Sequence, residues 1–375
     1  MEPSIYSYSL CIALPLMLFF GFYFLLAPTS EKAIFNNYLR SRRIMGVAIL
    51  LLAANYSVHF FFGIRFKNTD AAILMNLSTY FLCYWLFSSA LTTLLDRFYI
   101  TKRRLRTHIC LWILFSILSG IVLLLLPKGI LQATAMFALA TWLVIYGLYL
   151  THRLLKTYHK VIRIFNDTHA DDIGAYIKWL SIFTYWAVIF GVGCGLLTFL
   201  PDEYIYIWIL SSVPFYIYLF LCYLNYLLFY EQVENAMEDG ITSEDENLCG
   251  TTNQEQEQKQ ETPFYHAEIE KKIKGWIDTD GYIRPGLTIK ELSDKLQTNR
   301  TYLSGYIKTK YEMSFRDWIT GLRIEYAKRL LAQNPRLTVA DISEKSGFLS
   351  PSHFIRMFKE NAGCTPVKWK KTEAK

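Results

Sequence analysis

Seven apolar runs fill the first 230 residues, at Ile5–Leu26, Ile44–Ile64, Ala71–Leu95, Ile109–Leu126, Ala133–Leu150, Trp179–Leu200 and Tyr204–Tyr230. A bilayer hydrocarbon core about 30 Å thick takes roughly 20 residues of helix. Inside it every backbone polar group must find its partner within the chain. These requirements restrict this half of the sequence to a bundle of seven membrane-spanning helices. The first run lacks a basic leader and a small-residue cleavage site, and six more follow it, so it reads as a span and not as a removable signal peptide.

The basic residues give the bundle a hand. Segments 27–43, 96–108 and 151–178 hold fourteen Lys and Arg, whereas the alternate segments 1–4, 65–70, 127–132 and 201–203 hold three. The positive-inside rule therefore places the N-terminus outside and the C-terminus in the cytoplasm. The outward loops are too short for a folded sensor domain. A signal must enter through the helices or through a partner, neither of which the sequence identifies. The segment RLLKTYHKVIRIF, 153–165, places Leu154, Leu155, Tyr158, Ile162 and Phe165 on one face and its basic residues largely on the other. That pattern suits a helix lying in the headgroup layer. Asn55, His59, Asn76, Asp96 and Asn225 are polar groups within or at the ends of the runs, read as interhelical or interfacial hydrogen-bonding groups, with a ligand or proton site as the alternative.

After Tyr230 the composition changes. Residues 231–262 carry ten acids and one Lys, against 21 basic and 13 acidic residues in 263–375. So polar and acidic a stretch cannot bury enough surface to offset its ordering entropy, and a disordered tether is expected there. The seven cysteines fall in no spacing that would hold zinc or define a disulfide framework. No cofactor or metal is expected, and no clustered catalytic constellation points to an enzyme.

The remainder contains an internal repeat. LTIKELSDKL at 287–296 aligns with LTVADISEKS at 337–346, and after one inserted residue Asn299, Leu303, Lys308 and Trp318 meet Ser350, Phe354, Lys359 and Trp369. Thr288 and Thr338 are set to cap a short helix in each copy, and Asn299 and Ser350 to cap a second, amphipathic one. Two short helices joined by a turn make a helix-turn-helix, whose second helix enters the DNA major groove. Between the copies, Ser314 caps a helix running to about Gln333, with Trp318, Ile319, Leu322, Tyr326, Leu330 and Leu331 as its apolar stripe. Its length, near 28 Å at about 1.5 Å per residue, approaches the 34 Å or so between successive major-groove faces.

The stretches LTIKELSDKL, NRTYLSGYIK, RIEYAKRLL and DISEKSGFLSPSHFIRMFKENAGCTPVKWK occur in that order. On them, residues 263–375 resemble the DNA-binding domain of the AraC family of bacterial transcription regulators. The resemblance implies base-facing positions at Thr301, Ser304 and Gly305 in the first recognition helix, flanked by Arg300 and Tyr302, and at Ser352, His353 and Arg356 in the second. Gly305 has no side chain and Ser304 a short one, whereas Arg356 is suited to a bidentate contact with guanine. The second unit is thus expected to discriminate at least as well as the first. Asn299, Ser350, Lys308 and Lys359 are expected to cap helices or face phosphates. The membrane half shows no such resemblance, so the family's inducer logic does not carry over.

The sequence thus implies an all-α chain: a seven-helix transmembrane domain at 1–230, an acidic linker at 231–262 and a cytoplasmic tandem helix-turn-helix domain at 263–375. The expected function is membrane-embedded, sequence-specific transcription regulation. The expected partners are double-stranded DNA and the lipid bilayer, with a homodimer left open. The alternative is a transporter or channel with a regulatory, DNA-binding-like cytoplasmic domain.

Overall fold

A computed structural model describes residues 5–197, 202–254, 263–334 and 336–373. Among these the regular structure is helical, apart from one isolated antiparallel bridge between His169 and Thr288. The chain divides into two compact units, one of residues 1–160 and 177–231, the other of 161–176 and 232–375.

The first unit is built on α1 (Ile5–Leu26), α2 (Asn36–Phe62), the short α3 (Ile64–Lys67), α4 (Thr69–Leu95), α5 (Lys102–Gly120, closed by a π turn at Ile121–Leu125), α6 (Ile130–Thr168), α7 (Gly174–Leu197) and α8 (Asp202–Gln254). Among the described residues, seven helical stretches are long and apolar enough to cross a membrane, in register with the seven runs read from the sequence. Glycine sets the contact between α1 and α2: a Cβ on Gly46 would lie 2.9 Å from the Gly21 carbonyl oxygen, so the two backbones meet with no side chain between them. Some of the polar groups inside the bundle are paired across helices. His59 Nε2 lies 2.9 Å from Asn76 Oδ1, Asn55 Nδ2 donates to Thr79 Oγ1 at 3.0 Å, and Ser41 Oγ donates to the Ala90 carbonyl at 2.6 Å. Asp96 ends α4, its carboxylate accepting from the Phe98 amide at 2.9 Å. Asn225 is exposed on the surface of α8.

Two helices run on beyond their apolar stretches. The acidic stretch after Tyr230, whose first residues EQVENAM are expected to extend the last helix by a turn or two before the tether, is helical further than that, since α8 runs without interruption to Gln254; residues 255–262 lie outside the described residues. A span that is already helical removes the nucleation cost, and Glu, Gln and Met propagate a helix well even when they bury nothing. Likewise α6 continues past Leu150 to Thr168, and on the face expected in lipid headgroups Leu154 and Phe165 are buried while Leu155, Tyr158 and Ile162 are partly exposed. From Val161 onward this helix belongs to the second unit.

The second unit contains α9 (Pro263–Asp278), a 3-10 turn at Gly281–Ile283, α10 (Ile289–Leu296), α11 (Arg300–Tyr311), α12 (Phe315–Gln333), α13 (Val339–Lys345), α14 (Pro351–Ala362) and α15 (Pro366–Glu373). It has two apolar cores. Ile269, Ile273, Trp276, Leu292, Leu303, Ile307, Phe315, Trp318 and Ile319 are in one, with Ala170; Ile324, Ala327, Leu331, Ile342, Phe348, Phe354 and Phe358 are in the other. The first turns of α12 therefore belong to the α10–α11 pair and its last turns to the α13–α14 pair. One helix of 19 residues joins two separately packed helix-turn-helix units.

Candidate nucleic-acid interface

Short side chains start each helix of the two units. Thr288 Oγ1 accepts from the Glu291 amide at 3.2 Å, and Asn299 Oδ1 from the Tyr302 amide at 2.6 Å. Ser314 Oγ accepts from Asp317 at 3.1 Å, and Ser350 Oγ from His353 at 3.2 Å. Thr338 forms a full capping box with Asp341. Each cap satisfies an amide that a helix N-terminus leaves without an intrahelical partner. Asn299 and Ser350, for which capping or phosphate contact was expected, spend their side-chain oxygens on the cap. Pro351 at the first position of α14 fits the same logic, having no amide hydrogen to satisfy.

The recognition helices present different surfaces. On α11, Leu303, Tyr306 and Ile307 are buried, Thr301, Gly305 and Lys308 are exposed, and Arg300 and Ser304 are partly exposed. Tyr302 packs against the first core with its ring 6.5 Å from that of Tyr306, so its aromatic face is used in folding. On α14, Phe354, Met357 and Phe358 are buried, Ser352, Arg356 and Lys359 are exposed, and His353 is half-buried against Phe348 at 5.7 Å. Burial holds the His353 imidazole below its ordinary pKa; the Asp172 carboxylate works against that shift, and Arg356 and Arg316 add to it.

Behind these helices sits a group of charged residues that reading the sequence passed over. Arg323 of α12 is 1% exposed, and its guanidinium makes three hydrogen bonds: Nε to the Tyr282 carbonyl at 2.9 Å, Nη2 to the Arg284 carbonyl at 2.8 Å and Nη1 to Asp171 Oδ1 at 2.8 Å. The other Asp171 oxygen accepts from the Gly286 amide at 2.7 Å. Ala170 donates its amide to the Leu287 carbonyl at 2.9 Å. The next residue, Asp172, faces Arg316 at 3.0 Å, accepts from Arg356 Nη2 and lies 3.6 Å from His353 Nε2. Asp167 accepts from Lys308 at 2.7 Å. Arg356 and Lys308, two of the residues expected at DNA, thus face carboxylates from residues 161–176. The sequence signal was weak: an arginine in an apolar stripe and a DD pair in a short polar connector. Among the described residues, no group of three or more His, Cys, Asp or Glu gathers as metal ligands would.

Two capped helix pairs, each with an exposed second helix and joined by one rod, define a tandem helix-turn-helix protein. Comparison with known proteins gives the same class: residues 292–372 match the family described as a helix-turn-helix domain. The Msm operon regulatory protein of Streptococcus mutans is 31% identical over 85 residues, 23% of this chain and 30% of that protein. The virulence regulon transcriptional activator VirF of Yersinia enterocolitica is 41% identical over 58 residues, 16% of this chain and 21% of that one. The melibiose operon regulatory protein of Escherichia coli is 27% identical over 85 residues, 23% and 28% of the two chains. The chain spans less than a third of the length of each of these three relatives, so the likeness concerns the helix-turn-helix domain.

Proposed function

We propose that this protein is a membrane-embedded, sequence-specific DNA-binding transcription regulator, with the helix-turn-helix unit in the cytoplasm of a bacterial cell. The observation that carries the proposal is the pair of capped recognition helices, α11 and α14, on the connecting helix α12, with Arg356 exposed on the second. Likeness to bacterial transcription regulators over residues 292–372 supports the DNA partner. The seven apolar helices support the membrane, and the distribution of basic loops supports the orientation. A cavity of about 130 Å³ among Tyr56, Tyr80, Phe87, Thr184, Ser212 and Phe215 gives the bundle room for a small, largely apolar signal molecule.

Full-length protein in lipid nanodiscs is the sample for the test, because Asp171 and Ala170 are part of the compact unit that holds the helix-turn-helix pairs. It should bind duplex DNA with an affinity that falls steeply as salt rises, since phosphate contacts release counterions. Arg356→Ala should weaken binding to a selected site by about 1–3 kcal/mol and relax preference at one base pair. Equal losses on the selected and a scrambled duplex would remove Arg356 from base reading. Affinity independent of salt would remove the DNA function.

A further inference from the structure

Asp172 touches the residue on α14 best equipped to read a base. Arg356 donates through Nη2 to Asp172 Oδ2, Arg316 Nη1 donates to Oδ1 at 3.0 Å, and the His353 ring nitrogen lies 3.6 Å away. The Asp172 carboxylate is 14% exposed and Arg316 is 21% exposed, whereas Arg356 is 46% exposed and reaches the carboxylate from the surface. Asp172 is also held in place by its neighbours. Asp171 is tied to the buried Arg323 and to the Gly286 amide, Ala170 is bonded to Leu287, and His169 bridges to Thr288. At the other recognition helix, Asp167 meets Lys308 at 2.7 Å. One short stretch of chain thus places a carboxylate against a cation on each recognition helix.

We infer that residues 167–172 form an intrachain clamp on the DNA-reading unit, with Asp172 and Asp167 competing with duplex DNA for Arg356 and Lys308. A carboxylate offers a guanidinium two acceptor oxygens in one plane, the same pattern as a phosphate or the O6 and N7 edge of guanine. Nη2 is one of the donors a bidentate guanine contact uses. Reading the base therefore requires Arg356 to leave Asp172, and bringing phosphate to Lys308 requires displacing Asp167. The clamp is also the chain's connection between α6 and α7, two of the helices apolar enough to cross a membrane. A signal that alters either helix acts directly on the segment that holds Asp172. The partner of this surface on the reader is therefore a piece of the same chain. The two clamp states are DNA-excluded with Asp172 on Arg356, and DNA-bound with it displaced.

This inference rests on the DNA-binding reading, and the test separates the two. Full-length protein in nanodiscs is titrated with a fluorescent duplex selected against the wild-type chain from a randomised pool. D172N keeps the side chain's shape and removes its charge, and it should tighten binding about tenfold, the scale of one strong charge-assisted contact. In an Arg356→Ala background the same change should gain less than about twofold, because the two effects act through one contact. Glu360→Gln, at an exposed acid on α14, should also gain less than about twofold by loss of like-charge repulsion at the surface. Wild-type binding with D172N unchanged, or a D172N gain equal in both backgrounds, overturns the clamp and leaves DNA binding standing. No duplex binding by the wild-type chain and by D172N alike overturns both. A second measurement needs no variant: carbodiimide should couple Asp167 to Lys308 in the free protein, and saturating duplex should cut the yield severalfold. Failure to couple, or a yield indifferent to bound duplex, overturns the clamp.

Discussion

Arg323→Ala should lower the unfolding free energy of the C-terminal unit by about 3–5 kcal/mol, the cost of breaking a buried ion pair from one side. The guanidinium is 1% exposed and its three hydrogen bonds run to Tyr282, Arg284 and Asp171. Truncation leaves two carbonyls and one carboxylate oxygen facing a void that water reaches poorly, and the penalty is the desolvation of those groups more than the loss of attraction. Lysine does not rescue the site, because one ammonium cannot present donors in the three directions a planar fork supplies. Asp171→Asn should be costly as well, since its single amide oxygen can accept from Arg323 or from the Gly286 amide but not both, and its NH2 group then faces the remaining donor. Denaturant unfolding of the detergent-solubilised chain, followed by the fluorescence of Trp276 and Trp318 in the neighbouring core, measures the loss. A change below about 1 kcal/mol would mean that Arg323 has water as an adequate substitute partner.

The same arginine marks where legibility ended. The caps at Thr288, Asn299, Ser314, Thr338 and Ser350 could all be read beforehand, because each is a contact across three residues. The seven apolar helices were readable for a similar reason: length and hydropathy are local properties, and a bilayer leaves the chain few alternatives. Arg323 and Asp171 are 152 residues apart. Only its place beside the apolar stripe of α12 sets Arg323 apart from an exposed helix charge, and Asp171 sits in what reads as a polar turn between two spans. Two locally plausible surface charges satisfy each other in the interior, and pattern reading has no access to that pairing.

The recognition helices illustrate the same division. The burial of Leu303, Ile307, Phe354 and Phe358 follows from helical spacing. Whether a residue on the remaining face meets solvent, packs sideways or finds an acid depends on neighbours far away in the chain. Tyr302 packs against the first core, Lys308 meets Asp167, and Arg356 meets Asp172. Helical periodicity put Arg356 and Lys308 on the exposed face, and tertiary structure supplied acidic partners that the sequence did not announce.

Gly347→Ala should destabilise the second helix-turn-helix by about 2–6 kcal/mol, combining left-handed backbone strain of about 1–3 kcal/mol with an overpacking cost of similar size. Gly347 has φ of 79°, and a Cβ there would stand 2.1 Å from the Ile283 carbonyl oxygen and 2.6 Å from its carbon. The obstacle is backbone, in the 3-10 turn next to the two carbonyls that Arg323 holds, so it cannot rotate away as a side chain would. Gly363 provides the comparison. It ends α14 with φ of 72°, yet a Cβ there would meet nothing within 4 Å. Gly363→Ala should therefore show the strain alone, about 1–3 kcal/mol. The gap between the two variants isolates the collision, and thereby how rigidly the turn after α13 is seated on the 281–283 turn. Parallel denaturant titrations of the two variants measure it. Equal losses would mean that the 281–283 turn yields, and that the two helix-turn-helix units are joined by α12 alone.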